Sequence, residues 1–135
     1  MRGGIVNNDP SGVLYQAVSG LMNAKLSQVR VGLACRVVSF DPSSCTADIQ
    51  PLIRTAGNDP AMIHNVPVLG QRLMLEGTVE ELVYKPRLKT GDLVFAVCAD
   101  RELKNARTGQ VAAPDTGRRH SVNDAVIVGV FSWSL

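Results

Sequence analysis

The side chains in this 135-residue sequence whose types could do acid–base, nucleophilic or metal chemistry are two histidines, three cysteines and an adjacent pair of glutamates. Metal ligation needs several His, Cys or carboxylate groups brought together, and its signal is a spacing such as Cys-x-x-Cys or His-x-His. Neither spacing occurs, so no metal site is expected. His64 stands alone in a segment rich in turn formers and His120 follows Arg118-Arg119; both read as ordinary polar residues. Ser121 beside His120 pairs a nucleophile with a base only on paper, because neighbours on an extended chain point in opposite directions. Glu80-Glu81, adjacent on a predicted strand, likewise face opposite sides and read as solvated. No Gly-x-x-x-x-Gly-Lys-Ser/Thr or Gly-x-Gly-x-x-Gly phosphate loop is present. The expectation is therefore no catalytic residue, no cofactor and no enzyme.

What remains is a charged group, Asp100-Arg101, Arg118-Arg119-His120 and Asp124, on either side of a long polar stretch that contains Gly109, Pro114 and Gly117. Loops of this length in a compact domain usually bind something or pack on a neighbour. The bracketing charges suit ion pairs that fix the loop or cross a subunit boundary.

The elements that must position these groups follow from composition and periodicity. With 45% hydrophobic and 19% charged residues the chain reads as one globular domain. A net charge of +2 and only 4% aromatic residues argue against a nucleic-acid surface, which concentrates cations and stacking rings. No stretch approaches the roughly 20 apolar residues of a membrane span, and the first residues lack a secretion-signal core. The three cysteines, odd in number and each in an apolar stretch, point to synthesis in a reducing cytoplasm.

Asn8-Asp9-Pro10 reads as a helix start, with Asp9 as cap, and Leu14, Val18, Leu21/Met22 and Leu26/Val29 recur at helical spacing. Residues 1–30 are therefore an N-terminal extension with one amphipathic helix over about residues 10–30, more suited to packing on protein than on a membrane because it carries so few cations. From Val31 the pattern is β. Asp41-Pro42-Ser43-Ser44 makes a turn between two strands. With Phe40 opposite Cys45, the core face carries Ala34, Val38, Phe40, Cys45, Ala47 and Ile49, Cys35 falls opposite Gln50, and no Cys35–Cys45 disulfide forms. Arg36 then falls on the apolar face, which signals a bulge, a rim position or a partner. A short strand at Val66 to Leu69 contains Pro67, which suits an edge. Leu93 to Ala99 and Ala125 to Phe131 are apolar on both faces, so the outer face is expected to be covered by the N-terminal helix or by another subunit. Val128 and Phe131 join Arg36, Asp100, Arg101, Arg119, His120 and Asp124 as candidate interface or loop-bracketing residues. The fold class is all-β: a small Greek-key OB-fold barrel over residues 31–135, preceded by one amphipathic α-helix.

Short motifs occur in a fixed order: Val37-Val38-Ser39-Phe40-Asp41-Pro42, Thr46-Ala47-Asp48-Ile49-Gln50-Pro51-Leu52-Ile53, Asn65-Val66-Pro67-Val68, Lys89-Thr90-Gly91-Asp92-Leu93-Val94, Ala99-Asp100-Arg101-Glu102-Leu103 and Arg119-His120-Ser121-Val122-Asn123-Asp124-Ala125. In this order the sequence resembles the N-terminal OB-fold domain of the membrane-piercing central spike of contractile-tailed bacteriophages, over about residues 30–131. The resemblance implies a homotrimer on the tail axis, in the baseplate of the virion, sitting under the hub protein and contacting the host outer membrane only during injection and genome ejection. Such spikes usually continue into a β-helix and a metal-bound tip, whereas this sequence runs out at Phe131-Ser132-Trp133-Ser134-Leu135. A spike base that binds a separate tip protein is therefore expected, with the tape-measure protein a further expected partner through the N-terminal helix. No specific nucleic acid is expected, although a nucleic-acid-binding OB-fold protein is the alternative reading.

Overall fold

The computed structural model describes residues 10–55 and 57–135. The helix α1 (Pro10–Leu26) contains Gly12 and Gly20, and none of its residues is buried. It stops four residues before the expected end at residue 30. Ser27 Oγ donates to the Ala24 carbonyl at 2.7 Å and Arg30 Nη1 to the Ser27 carbonyl at 2.6 Å, and these bonds close the last turn. Arg30 N then donates to the His120 carbonyl at 2.9 Å, which ties the exit of the helix to the barrel. The expected cap, Asp9, lies outside the described residues. No helix among the described residues is long and apolar enough to cross a membrane.

Among the described residues seven strands follow: β1 (Gly32–Asp41), β2 (Thr46–Pro51), β3 (Ile63–Pro67), β4 (Gln71–Met74), β5 (Glu81–Tyr84), β6 (Leu93–Cys98) and β7 (Ala125–Val130). Five of them form one antiparallel sheet in the order β3-β2-β1-β6-β7. The sheet curls until its two edges meet: Val68, just past β3, bridges Ile127 of β7 in parallel, and Leu69 N donates to the Ile127 carbonyl at 3.1 Å. The result is the expected small OB-like barrel, with Pro67 at the end of an edge strand as its missing N–H requires.

The β1–β2 register differs from the expected one. Asp41 pairs with Thr46 and Phe40 with Ala47, so the connection is Pro42-Ser43-Ser44-Cys45 and Cys45 is not Phe40's partner. Asp41 does initiate the turn, its carboxylate accepting from Ser43 N at 3.0 Å and Ser43 Oγ at 2.7 Å, and these bonds hold it below the usual carboxylate range. The turn is longer than expected because Cys45 adopts φ +52°, a left-handed conformation that its residue type does not advertise. A bulge between Val37 and Ser39 then takes back one of the two residues by which the turn displaces the pairing, leaving the strand below it one residue from the expected register. Below the bulge, Cys35 and Val37 face the core while Val38 is exposed and Ala34 only half-buried, opposite to expectation; above it Phe40 packs inward as expected. Cys35 accordingly pairs with Pro51, and Arg36 takes the place opposite Gln50. All three cysteines are free thiols. Burial raises the Cys35 thiol to about 11, with the neighbouring Cys98 adding to the shift.

The core is the inside of the curl. Val37, Ile49, Val94, Ala96 and Ile127 are fully buried, and Val66 and Leu88 join them in the core. The strand β6 alternates as the period of two demands, placing Val94, Ala96 and Cys98 inside and Leu93, Phe95 and Val97 outside. Outside the barrel, β4 and β5 form a separate hairpin whose eight strand residues are all exposed. Ile127→Ala empties the point where the sheet closes and is expected to lower unfolding free energy by about 2–5 kcal/mol in a denaturant titration, whereas Val111→Ala on the fully exposed loop should change it by under about 0.5 kcal/mol; equal losses would contradict this core.

Candidate functional site

Residues 100–124 leave β6 and return to β7, and the chain folds this long connection back on itself with charge. Asp100 and Arg101 meet Arg119 and His120 at its base: Arg101 bridges Arg119 in antiparallel fashion and His120 N donates to the Asp100 carbonyl at 3.2 Å. His120 Nε2 lies 3.5 Å from Asp100 Oδ1. His120 sits at φ +44°, a strained value for a residue with a Cβ, and its carbonyl is the one that receives Arg30 N. The Arg119 side chain is exposed and Arg101 Nη2 donates to the Thr116 carbonyl at 3.3 Å.

Inside this base lies a buried ion cluster. Arg118 grips Asp124 with both arms of its fork, Nε to Oδ2 at 2.7 Å and Nη2 to Oδ1 at 2.9 Å, while Nη1 lies 3.2 Å from Glu102 Oε2. Leu103 N adds a third bond to Asp124 Oδ1 at 3.2 Å. Asp124 and Glu102 are buried, 3% and 8% exposed, although they are acids. Burying carboxylates is costly unless every lone pair finds a donor. Glu102 meets this by accepting from Asp115 N at 3.0 Å and Thr116 Oγ1 at 3.1 Å, so both acids staple distant parts of the loop. The Arg118 hydrogen bonds hold the Asp124 carboxyl below its ordinary range, outweighing burial, and raise Arg118 in turn.

The second group lies on the outside of the barrel. Arg36 is exposed on β1, opposite Gln50 on one side and Leu93 on the other, and has no ion-pair or hydrogen-bond partner among the described residues. Around it the surface is apolar: Val38, Phe95 and Val128 are 38%, 37% and 46% exposed. Phe95 meets Phe131 edge-on at 5.9 Å, and Phe131 stacks on Trp133 at 4.4 Å, so half of the chain's six aromatic rings share this shelf. Gly32 lies directly under Phe95, where a Cβ would stand 2.4 Å from the ring, so the close approach requires glycine. Ser134 Oγ accepts from Leu93 N at 2.9 Å and pins the end of the shelf to β6.

Every candidate residue therefore falls in one of two places. Asp100, Arg101, Arg119, His120 and Asp124 gather at the loop base, and Arg36, Val128 and Phe131 lie on the outer face. Of the groups set aside as ordinary, His64 stays apart, its Nδ1 3.5 Å from Asp48 on β2, while Ser121 lies in the loop base as a cap, its Oγ accepting from Asn123 N and its carbonyl from Asp124 N. Sequence reasoning missed Glu102, which sits in an otherwise charged, solvent-like run and is buried only because the loop folds over it.

The family model of the phage protein Gp138 N-terminal domain matches residues 33–129, well over half of the chain. The chain belongs to that family. No curated protein matches it. The Gp138 match supports a structural protein of a phage, and it spans the barrel with both the ion cluster and Arg36 while leaving α1, Phe131 and Trp133 outside.

Because folding lowers the Asp124 carboxyl, its contribution is complete above the unfolded carboxylate value of about 4 and is lost as pH falls through the folded value below it. Thermal unfolding of the natural protein is expected to lose stability below about pH 4. Asp124→Asn should cost on the order of 2 kcal/mol at neutral pH and show a shallower acid decline; an acid limb as steep as the natural one would remove Asp124 from that role.

Proposed function

We propose that this chain is the trimeric base of the central membrane-piercing spike of a contractile phage tail, joining the baseplate hub above to a separate tip protein below. The observation that carries this reading is the apolar outer face of β6 and β7, left uncovered by the chain's own helix, in a domain of the Gp138 N-terminal family. Soluble monomers seldom leave a large contiguous apolar surface open. Three copies around an axis bury it and give a hollow-free, rigid plug, which is what a part loaded along its length during injection needs. The role is mechanical and involves no turnover. Family membership supports a virion component, and the baseplate position on the tail axis belongs to the proposal.

In such a part the loop of residues 100–124 is a docking element held in one shape by the Asp124–Arg118–Glu102 cluster. The aromatic shelf at Phe131 and Trp133 offers the tip protein an apolar seat, and α1 reaches toward the hub or the tape-measure protein. A nucleic-acid role would want clustered unpaired cations interleaved with rings, and the rings here stack on each other instead.

Light scattering on a sizing column at moderate salt is expected to return three times the chain mass, with Val128→Asp shifting the protein to monomer while retaining its circular dichroism spectrum. A natural protein that stays monomeric alone and with its hub would sink the spike-base reading.

A further inference from the structure

The hairpin of β4 and β5 meets its own barrel at the root, where Gln71 and Tyr84 line one cleft with Val68 and Val128. Its strand residues are all exposed, and a lone two-stranded hairpin is marginally stable in water. Cross-strand pairing puts Leu73 opposite Leu82 and Gln71 opposite Tyr84, so one face of the arm is aliphatic and aromatic. Arg72, one residue in from the root, and Glu81, at the tip end of β5, form a diagonal ion pair at 2.9 Å along the arm. At the tip, where Gly77 turns the chain at φ +83°, Glu76 and Glu80 are exposed acids with no partner among the described residues. An acidic, apolar arm thus projects from a chain whose barrel shows an apolar face carrying Arg36, which has no partner among the described residues.

We infer that the β4–β5 arm of one copy lies across the outer face of the next copy's barrel, with Leu73, Leu82 and Tyr84 on Val38, Phe95 and Val128 and the tip acids on Arg36. The inference rests on the homotrimer reading and adds to it which surfaces meet. Charge complementarity favours a second copy over a foreign partner: the arm's free acids and the face's free arginine are opposite in sign, and both surfaces are carried by the same chain. Length agrees. Six residues from the hairpin root to Gly77 give an arm of roughly 20 Å, whereas crossing β1, β6 and β7 takes two strand spacings, about 10 Å. The contact is heterologous, each copy giving an arm and receiving one, so it leaves no arm and no face free only when the ring closes, as a three-fold ring does. It also assigns Arg36 a task, since an arginine among apolar groups is suited to a carboxylate that arrives from outside.

The test is a charge-reversal cycle on the full chain, read as the concentration at which trimer gives way to monomer. Glu76→Arg with Glu80→Arg, and separately Arg36→Glu, are each expected to raise that concentration about tenfold or more, and the combined variant to return to within about threefold of the natural protein. Arg36→Gln should fall between, and all sites are exposed, so the circular dichroism spectra should not change. A natural trimer that ignores both reversals, or reversals that weaken assembly without mutual rescue, overturns the arm contact alone. A natural protein that is monomeric throughout overturns the trimer reading itself.

Discussion

The strand β6 constrains the rest of the molecule because it is apolar on both sides. A strand in a curled sheet can hide only one side in its own barrel, and Val94, Ala96 and Cys98 take that side. Hydrogen bonding to β1 and β7 fixes β6 in the middle of the wall, so Leu93, Phe95 and Val97 have no freedom to turn inward. The neighbours respond in kind: Gly32 opens room for Phe95, Phe131 and Trp133 lean on it, and Val128 extends the apolar surface along β7. The same strand pattern that makes the core therefore makes a second apolar surface that the chain itself does not close.

Much of this was legible in the residues. Double-faced apolar runs read as strands with a covered outer face, Pro67 as an edge and Asp41-Pro42 as a turn; Arg36, read on the core face as a sign of a bulge, a rim position or a partner, is exposed on the outer face, and the bulge leaves Val38 unpaired. The register was not legible, and the reasons are local. Cys45 takes a left-handed conformation usually reserved for Gly or Asn, which lengthens the turn, and the bulge at Val37–Ser39 changes the phase of alternation in the middle of a strand. Period-of-two reasoning carries one phase per strand, so it put Ala34 and Val38 where Cys35 and Val37 belong. The helix was legible as a helix but not in its extent, because Ser27 and Arg30 end it with side-chain bonds that hydrophobic spacing does not register. In the candidate site the bracketing charges were visible, but their geometry was not: Arg118 and not Arg119 meets Asp124, and Glu102 enters only through the three-dimensional path of the loop.

The ion cluster has a sign imbalance that says what it is for. Two buried carboxylates share one guanidinium, so attraction between opposite charges alone does not explain their burial. The balance comes from the backbone donor at Leu103 and, from a second stretch of the loop, the Asp115 N–H and the Thr116 hydroxyl. An apolar cluster of equal volume would serve stability as well, but it would not dictate direction. Forked, oriented bonds do, and a long connection held in one shape is what a surface loop needs if it is to present the same contacts in every copy of an assembly.

Exposed apolar groups on α1, on the β4–β5 arm and on the barrel wall are hard to reconcile with a solitary soluble domain, since each alone is a site for uncontrolled association. Charge is placed so as to discriminate among the ways these surfaces could meet. Glu76 and Glu80 at the arm tip repel another arm tip, and Arg36 repels another Arg36 face, so like surfaces disfavour each other while arm and face attract. An association rule of that kind drives copies head to tail rather than face to face. Head-to-tail contacts either run on as a filament or close as a ring. The α1 helices, tied to each barrel through Arg30 and His120, leave every copy at the same place, and a ring alone gathers them at one end of a common axis. The proposed trimer is thus the arrangement in which the arm, the wall and the helix are all occupied at once.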